Sequence, residues 1–180
     1  IQHGYYHTVS AQYMKASIDN EGKVTGWLHR FALPSIISTF SPGVDYAAGW
    51  EISSASNIPF DIESVKIEVG KASAHVRIGW LRSVINIPHG FSINVFTDEL
   101  AFAAKQDPLD FMLNLIGEDR IINPNEDIPF KTSRLKNVLK LAAKNANWGK
   151  ELPEGHGQGL AVHYSFNSYV ASVVEVSVID

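Results

Sequence analysis

Arg82 is the residue of this chain best placed to do chemistry. It stands in an apolar run, Trp80-Leu81-Arg82-Ser83-Val84, just ahead of a helical pattern. An arginine in such surroundings is uncommon unless it is paired or holds an oxyanion. Two readings stay open: a bidentate pair with a carboxylate such as Glu99 or Asp98, or contact with an anionic cofactor or substrate. Asp98 and Glu99 are adjacent, and adjacent helical residues diverge by about 100°. They cannot act as one carboxylate pair. They read as solvated or capping groups, with one of them buried and holding a loop as the rarer case.

The other chemistry-bearing residues point less far. Of the seven histidines, His3 and His7 are four apart, but Tyr5 and Tyr6 lie between them and no carboxylate stands near. His29, His75, His89, His156 and His163 are scattered singly. A metal site needs convergent ligands at suitable spacing, so all seven read as ordinary surface or partly buried histidines. Gly155, Gly157 and Gly159 precede a strand, whereas dinucleotide-binding glycines follow a strand and open a helix. Ser35, Ser83 and Ser165 lack the flanking glycines of a nucleophile elbow.

The elements that must position these groups show in the hydrophobic pattern. Residues 9–18 and 23–33 are rich in β-branched and aromatic residues around Asp19-Asn20-Glu21-Gly22, which predicts a β-hairpin with a four-residue loop. Residues 34–60 hold three prolines and many Ser and Ala, so that stretch is expected to be irregular, with a short helical turn near 36–40. Residues 62–69 alternate as a half-buried strand does, and 74–79 are expected to be a short extended piece.

A long helix is expected over 89–105, with Ile93, Phe96, Leu100 and Ala103 on one stripe. Asp107 can cap the next helix, Pro108 suits its first position, Asp110 favours its positive end, and Gly117 can stop it. Its inward residues are expected to be Leu109, Met112, Leu113 and Ile116. Residues 118–131 read as a loop. Thr132 or Ser133 is expected to cap a third helix, 134–147, facing inward through Leu135, Val138, Leu139 and Ala142. A turn-rich connector at 151–159 leads to strands at 160–166 and 169–179. Strand pairs interrupted by helices without βαβ alternation predict an α+β fold, a two-layer arrangement of mixed sheet and helices.

Composition sets outer bounds. The 180 residues suit one domain with a subdivision near 70–80, and they can bury a sizeable core. Charged residues make up 19%, below the usual ~25%, so part of the surface is expected to face other protein. A net charge of −4 gives no reason to expect nucleic acid. No stretch of ~18 apolar residues predicts a membrane-spanning helix. The absence of cysteine excludes disulfides, a thiolate nucleophile and cysteine-ligated iron–sulfur clusters within these residues.

With these residues in view, the chain resembles a family. GWLRSV followed by FTDELAFAAKQDPLDFMLNLI is similar to the large subunit of isoquinoline 1-oxidoreductase-like enzymes, in the xanthine dehydrogenase and aldehyde oxidase superfamily of molybdenum hydroxylases. Arg82, Ser83, Val84, Phe91, Phe96, Asp98, Glu99, Leu100, Ala101, Asp107, Pro108 and Phe111 match the family pattern. Arg134, Val138, Leu139, Ala142, Ala143, Trp148 and Gly149 continue it. Leu152, Pro153, Gly155, Gly157, Gly159, Ala161, His163, Ser165, Phe166, Tyr169, Val170, Ala171, Val174, Glu175 and Val176 follow. Upstream, Gly22, Trp27, His29, Arg30, Pro34 and Ser35 resemble the family's first hairpin.

The resemblance implies a molybdenum cofactor-binding domain-like fold. It implies that the parent binds molybdopterin cytosine dinucleotide and hydroxylates N-heteroaromatic or aldehyde substrates, with water as oxygen source. Electrons would leave through a small iron–sulfur subunit carrying two clusters. It makes Leu81, Arg82 and Ser83 the cofactor-proximal residues. Four departures stand out: Ile85 where the family has glycine, His89 for asparagine, Asn94 for glutamate, and Asn167 for glycine. The family's Met-Gly-Gln-Gly motif is absent, since Gly157-Gln158-Gly159 follows His156, and the resemblance places the catalytic glutamate beyond residue 180.

The expectation is therefore an internal piece of a longer protein, starting without Met, inactive alone and binding no cofactor. Its partners would be the remainder of the large subunit and the iron–sulfur subunit, with homodimerisation through an exposed apolar face. The parent would be bacterial, periplasmic or cytoplasmic. Two alternatives are a non-catalytic scaffolding domain of a degenerate relative and a self-contained small-ligand-binding domain with one closed pocket.

Overall fold

The computed structural model describes residues 4–178, so His3 and Ile179 lie outside the described residues. The order of elements is β1 (Ala11–Ile18), β2 (Val24–Ala32), two 3-10 turns (Ile36–Thr39 and Gly49–Glu51), α1 (Ser53–Ser56), β3 (Ser64–Gly70), α2 (Asn86–Ala104), α3 (Pro108–Ile116), β4 (Ile121–Ile122), β5 (Phe130–Lys131), α4 (Thr132–Asn145), β6 (His156–Ser165) and β7 (Ser168–Ser177). The α+β class expected from the pattern is the one observed. The mixed sheet is β1-β2-β3, with β1 antiparallel and β3 parallel to β2. β4-β5 and β6-β7 form separate two-stranded ladders.

The chain divides into two compact units. Residues 1–58 and 62–96 make the first, and residues 59–61 and 97–180 the second; one boundary falls inside α2.

In the first unit, the β1–β2 hairpin forms as the turn chemistry predicts. Asp19 Oδ1 accepts the N–H groups of Glu21 and Lys23, each at 2.9 Å. β2 alternates so that Val24, Trp27, His29 and Phe31 are buried while Arg30 faces out. Arg30 there pairs with Glu68 of β3 at 2.5 Å. Phe31, Leu33, Ala47 and Ala55 form a buried cluster, with Ile52, Ile67 and Val69 packed against it. The piece at 74–79 makes only an isolated parallel bridge, Tyr6 to Ile78.

In the second unit, Asp107 caps α3 as expected, accepting from the N–H groups of Leu109 at 2.8 Å and Asp110 at 3.1 Å. It also accepts the Trp148 indole N–H at 3.0 Å. Gly117 ends α3 at φ 74°, and a Cβ there would lie 2.7 Å from that of Asp61. Phe111, Met112, Leu115 and Ile116 are the buried residues of α3. Leu109 and Leu113 are only half-buried, so the inward face is rotated from the predicted one. Ala103 of α2 is exposed rather than part of a stripe, while Ile93 and Leu100 are buried.

The start of α4 corrects another expectation. Its N-cap is Lys131, without a side-chain cap bond. The Thr132 hydroxyl instead accepts the Arg120 N–H at 2.8 Å and donates to the Arg120 carbonyl at 3.1 Å, binding helix to loop. β6 begins at His156, so Gly157 and Gly159 lie within a strand rather than a connector. The β6–β7 turn is Phe166-Asn167, with φ 47° and 59°. Two consecutive left-handed residues make the tight primed turn that matches strand twist.

Candidate functional site

The segment 78–86 is held from several sides within the first unit. Tyr6 N–H donates to the Arg77 carbonyl at 2.9 Å, and Gly79 N–H to the Tyr6 carbonyl at 3.2 Å. Thr39 donates its hydroxyl to the Ile78 carbonyl at 3.0 Å. His7 Nε2 lies 3.2 Å from the Val84 carbonyl. A Cβ on Gly79 would sit 2.5 Å from the Tyr5 ring, so only glycine permits this close approach.

The loop turns tightly within itself. Val84 N–H donates to the Leu81 carbonyl at 2.8 Å, and Asn86 binds the Ser83 carbonyl through its backbone N–H at 2.9 Å and its side-chain amide at 3.1 Å. Ser83 and Val84 both have positive φ, 68° and 49°. A β-branched residue there is a true outlier, and such strain, of order 1–3 kcal/mol, persists only where surrounding contacts impose it.

Those contacts come from below and beside. Ile85, directly after the strained pair, is 2% exposed. The first turn of α2 then buries His89 against β2: its ring lies 4.5 Å from Phe31 and 5.4 Å from His29 by centroid. Further along α2, Phe96 meets Trp27 edge-on at 5.0 Å. His29 also bonds the Gln12 side-chain oxygen through Nε2 at 2.5 Å. Burial pushes the His29 imidazole down to about 4, so it stays neutral at neutral pH.

Beside the loop, the buried Glu51 carboxylate accepts three hydrogen bonds: the Ser35 hydroxyl and Ile36 N–H at 2.7 Å, and the Ala48 N–H at 3.1 Å. This one side chain ties together the two 3-10 turns. The turns present Phe40 and Trp50, and Trp80 stacks between them at 5.3 and 6.3 Å. Tyr5 extends the row at 6.0 Å from Phe40, and the Arg77 guanidinium lies 4.9 Å from the Tyr5 ring. All four aromatic residues are more than two-fifths exposed.

Of the predicted site residues, Leu81 and Arg82 are exposed and Ser83 is half-buried. Arg82 makes no ion pair among the described residues. Asp98 is half-buried, and burial raises its carboxyl above the ordinary value. Glu99 is exposed. The single Gly-Glu dipeptide of the chain, Gly117-Glu118, closes α3 and leaves Glu118 exposed. Among the described residues, no group of three or more His, Cys, Asp or Glu is arranged to hold a metal ion. No helix of the described residues is long and apolar enough to cross a membrane.

Sequence reasoning missed Glu51, the His29–His89 contact and the aromatic row. For His29 a signal existed: Trp27, His29 and Phe31 fall on one face at period two. Glu51 carried none, because its donors come from residues 35, 36 and 48.

No protein-family model matches the chain. Over 90 residues, 50% of the chain, it is 29% identical to a nicotinate dehydrogenase subunit of Pseudomonas putida. Over 87 residues, 47% of the chain, it is 36% identical to the membrane-bound, pyrroloquinoline-quinone aldehyde dehydrogenase of Gluconacetobacter polyoxogenes. The matched stretches span only 6% and 11% of those two proteins.

Proposed function

We propose that this chain is part of the large subunit of an oxidoreductase of the molybdenum hydroxylase type, and that the loop Leu81-Arg82-Ser83 forms one wall against its cofactor. The observation that carries this reading is the loop itself. An exposed arginine, unpaired among the described residues, stands beside two left-handed residues in a segment clamped on several sides. Likeness to two dehydrogenases supports the oxidoreductase class.

The donor set fits an anionic group. The loop 79–86 contains Arg82, the Ser83 hydroxyl and backbone amides, and no carboxylate. A planar guanidinium suits phosphate or oxo oxygens, which it can engage with two donors. When bound, a molybdenum cofactor of this class supplies two-electron oxidation of a carbon centre, with water as the source of oxygen. Arg82 would hold the anionic edge, and the clamped backbone would keep that contact preorganised. Trp80 and Leu81 would cover the loop's flank and exclude water.

No general base belongs to this loop, so residues outside these 180 would complete the site, and the chain alone would be inactive. The cytosine dinucleotide form of the cofactor, the N-heteroaromatic or aldehyde substrate and an iron–sulfur partner subunit belong to the same proposal.

The test is metal content. The full gene product is expected to carry molybdenum by mass spectrometry, and Arg82→Ala to lower its occupancy while Arg82→Lys retains part of it. A full-length protein without molybdenum, or one whose occupancy ignores Arg82→Ala, would overturn the reading.

A further inference from the structure

We propose that His29 is an acid-sensitive latch beneath the loop 81–84: when its buried ring takes a second proton, the first turn of α2 lifts from β2 and the left-handed backbone of Ser83 and Val84 is released. This inference rests on packing within the first unit and is independent of the cofactor reading.

The hydrogen bonds fix where that proton must go. His29 is fully buried. Its Nε2 lies 2.5 Å from the Gln12 side-chain oxygen, which only accepts, so Nε2 carries the proton of the neutral ring. The Gln12 amide is oriented by its own nitrogen, which donates to the Ser10 hydroxyl at 2.9 Å. A second proton therefore goes to Nδ1, and that atom has no hydrogen-bond partner among the described residues. A buried charged ring with an N–H that meets no acceptor is costly.

The elements packed around His29 bring no compensating charge. Met14 of β1 and Ile67 of β3 flank it in register. Lys15, Arg30, Lys66 and Glu68 are one residue out of step, so they lie on the opposite face of the sheet. Arg30 and Lys66 pair with Glu68 there. From α2 the titratable group in contact is His89, 5.4 Å away by ring centroid. Residues 86–97 contain no Asp, Glu, Lys or Arg. The remaining ring contact is Phe31 at 5.3 Å. Burial accordingly holds the His29 ring down at about 4, against 6.5 ordinarily.

The path from His29 to the loop is short. The two rings in contact with it differ in how they are held. Phe31 belongs to β2, the central strand of the sheet, whereas His89 stands on the first turn of a helix, which opens at lower cost. His89 is therefore the part that moves. Its N–H donates to the Ile85 carbonyl at 3.4 Å. Ile85 follows the left-handed pair directly, and Asn86 binds the Ser83 carbonyl twice. The turn that His89 anchors is thus the one that fixes Ser83 and Val84, and the strain stored there is relieved by the same movement.

With the turn open, the ring titrates near its ordinary 6.5 rather than about 4, so acid favours the open form. Between pH 7 and pH 5 the open population is expected to rise about twentyfold. Hydrogen exchange, corrected for the intrinsic rate at each pH, is expected to show that loss of protection at the Asn86 and His89 amides. The Phe31 amide, within the sheet, is expected to keep its protection. His29→Gln should abolish the change. Gln12→Glu keeps the imidazole and sets a carboxylate at its Nε2, so it should shrink the loss several-fold. Equal protection at the two pH values overturns the proposal. So does a loss of the same size at Phe31, which marks unfolding of the whole unit, or a loss that survives both substitutions.

Discussion

The two units bury different chemistry. The first places ionisable and polar groups at its centre: His29, His89, Ser35 and Glu51 are all fully buried. The second is built from Met112, Ile116, Leu135, Leu139 and Leu160, with α4 in contact with both α3 and the β6–β7 hairpin. An apolar core tolerates loose specification, because contact is non-directional. A buried carboxylate or imidazole does not, because each lone pair left without a donor costs free energy. The polar core lies beneath the strained loop, where a defined backbone is most needed. The apolar core supports a hairpin whose register runs unbroken from Ser165↔Ser168 to His156↔Ser177.

The contrast can be broken by substitution. The largest effect is expected in the apolar unit. Leu139 is fully buried, so Leu139→Ala is expected to cost about 2–5 kcal/mol. That loss, read from urea unfolding, should be the same at pH 7 and pH 5.

Glu51→Ala comes next. It leaves the Ser35 hydroxyl and two backbone N–H groups without their acceptor, a loss of roughly 3 kcal/mol. Glu51→Gln keeps one acceptor oxygen and should lose less. If the two variants were equally stable, the carboxylate would not be the tie between the 3-10 turns.

Acid should separate the units more gently. The folded His29 has a value of about 4, below its ordinary 6.5, because burial disfavours the charged ring. A depressed value means the folded state resists protonation. The stabilisation is therefore full above pH 6.5 and is lost as pH falls toward 4. Between pH 7 and pH 4.5 this amounts to about 2 kcal/mol. His29→Gln should remove that part of the pH dependence, and unchanged pH dependence would assign it elsewhere. Burial also lowers His163 in the second unit, so the comparison is one of degree.

The smallest effect sharpens the contrast at the level of local structure. Asp107→Ala removes the α3 cap and the Trp148 contact, and is expected to cost about 1 kcal/mol. The same measurement on Ser83→Gly should show a gain of about 1 kcal/mol, because glycine accepts φ 68° without strain.

The strands and helices were readable where the signal is local. Asp107-Pro108 announced α3, Gly117 ended it, and Asp19 to Gly22 made the first hairpin. A period-two run marked β3, and β-branched and aromatic residues around the turn marked β1 and β2. The failures are equally physical. Ala103 fitted a stripe by spacing but is exposed, since spacing does not say which way a helix rolls. Thr132 was a good cap by type, yet Arg120 engages its hydroxyl. At Arg82 the sequence left two readings open, a carboxylate pair or an anionic ligand, and the structure places the side chain in an exposed position.

What local sequence decided here is the longer elements, while the short β4–β5 ladder formed within a stretch expected to be a loop: turn residues, caps and periodicity act over a few residues and need no partner. The tertiary structure alone decided the rest. It brought Ser35, Ile36 and Ala48 to Glu51, set His89 against Phe31, stacked Trp80 between Phe40 and Trp50, and twisted Ser83 and Val84 into left-handed geometry. Each of those depends on residues distant in the chain meeting in space. Directional hydrogen bonds and ring contacts acquire their energy only once that meeting has occurred.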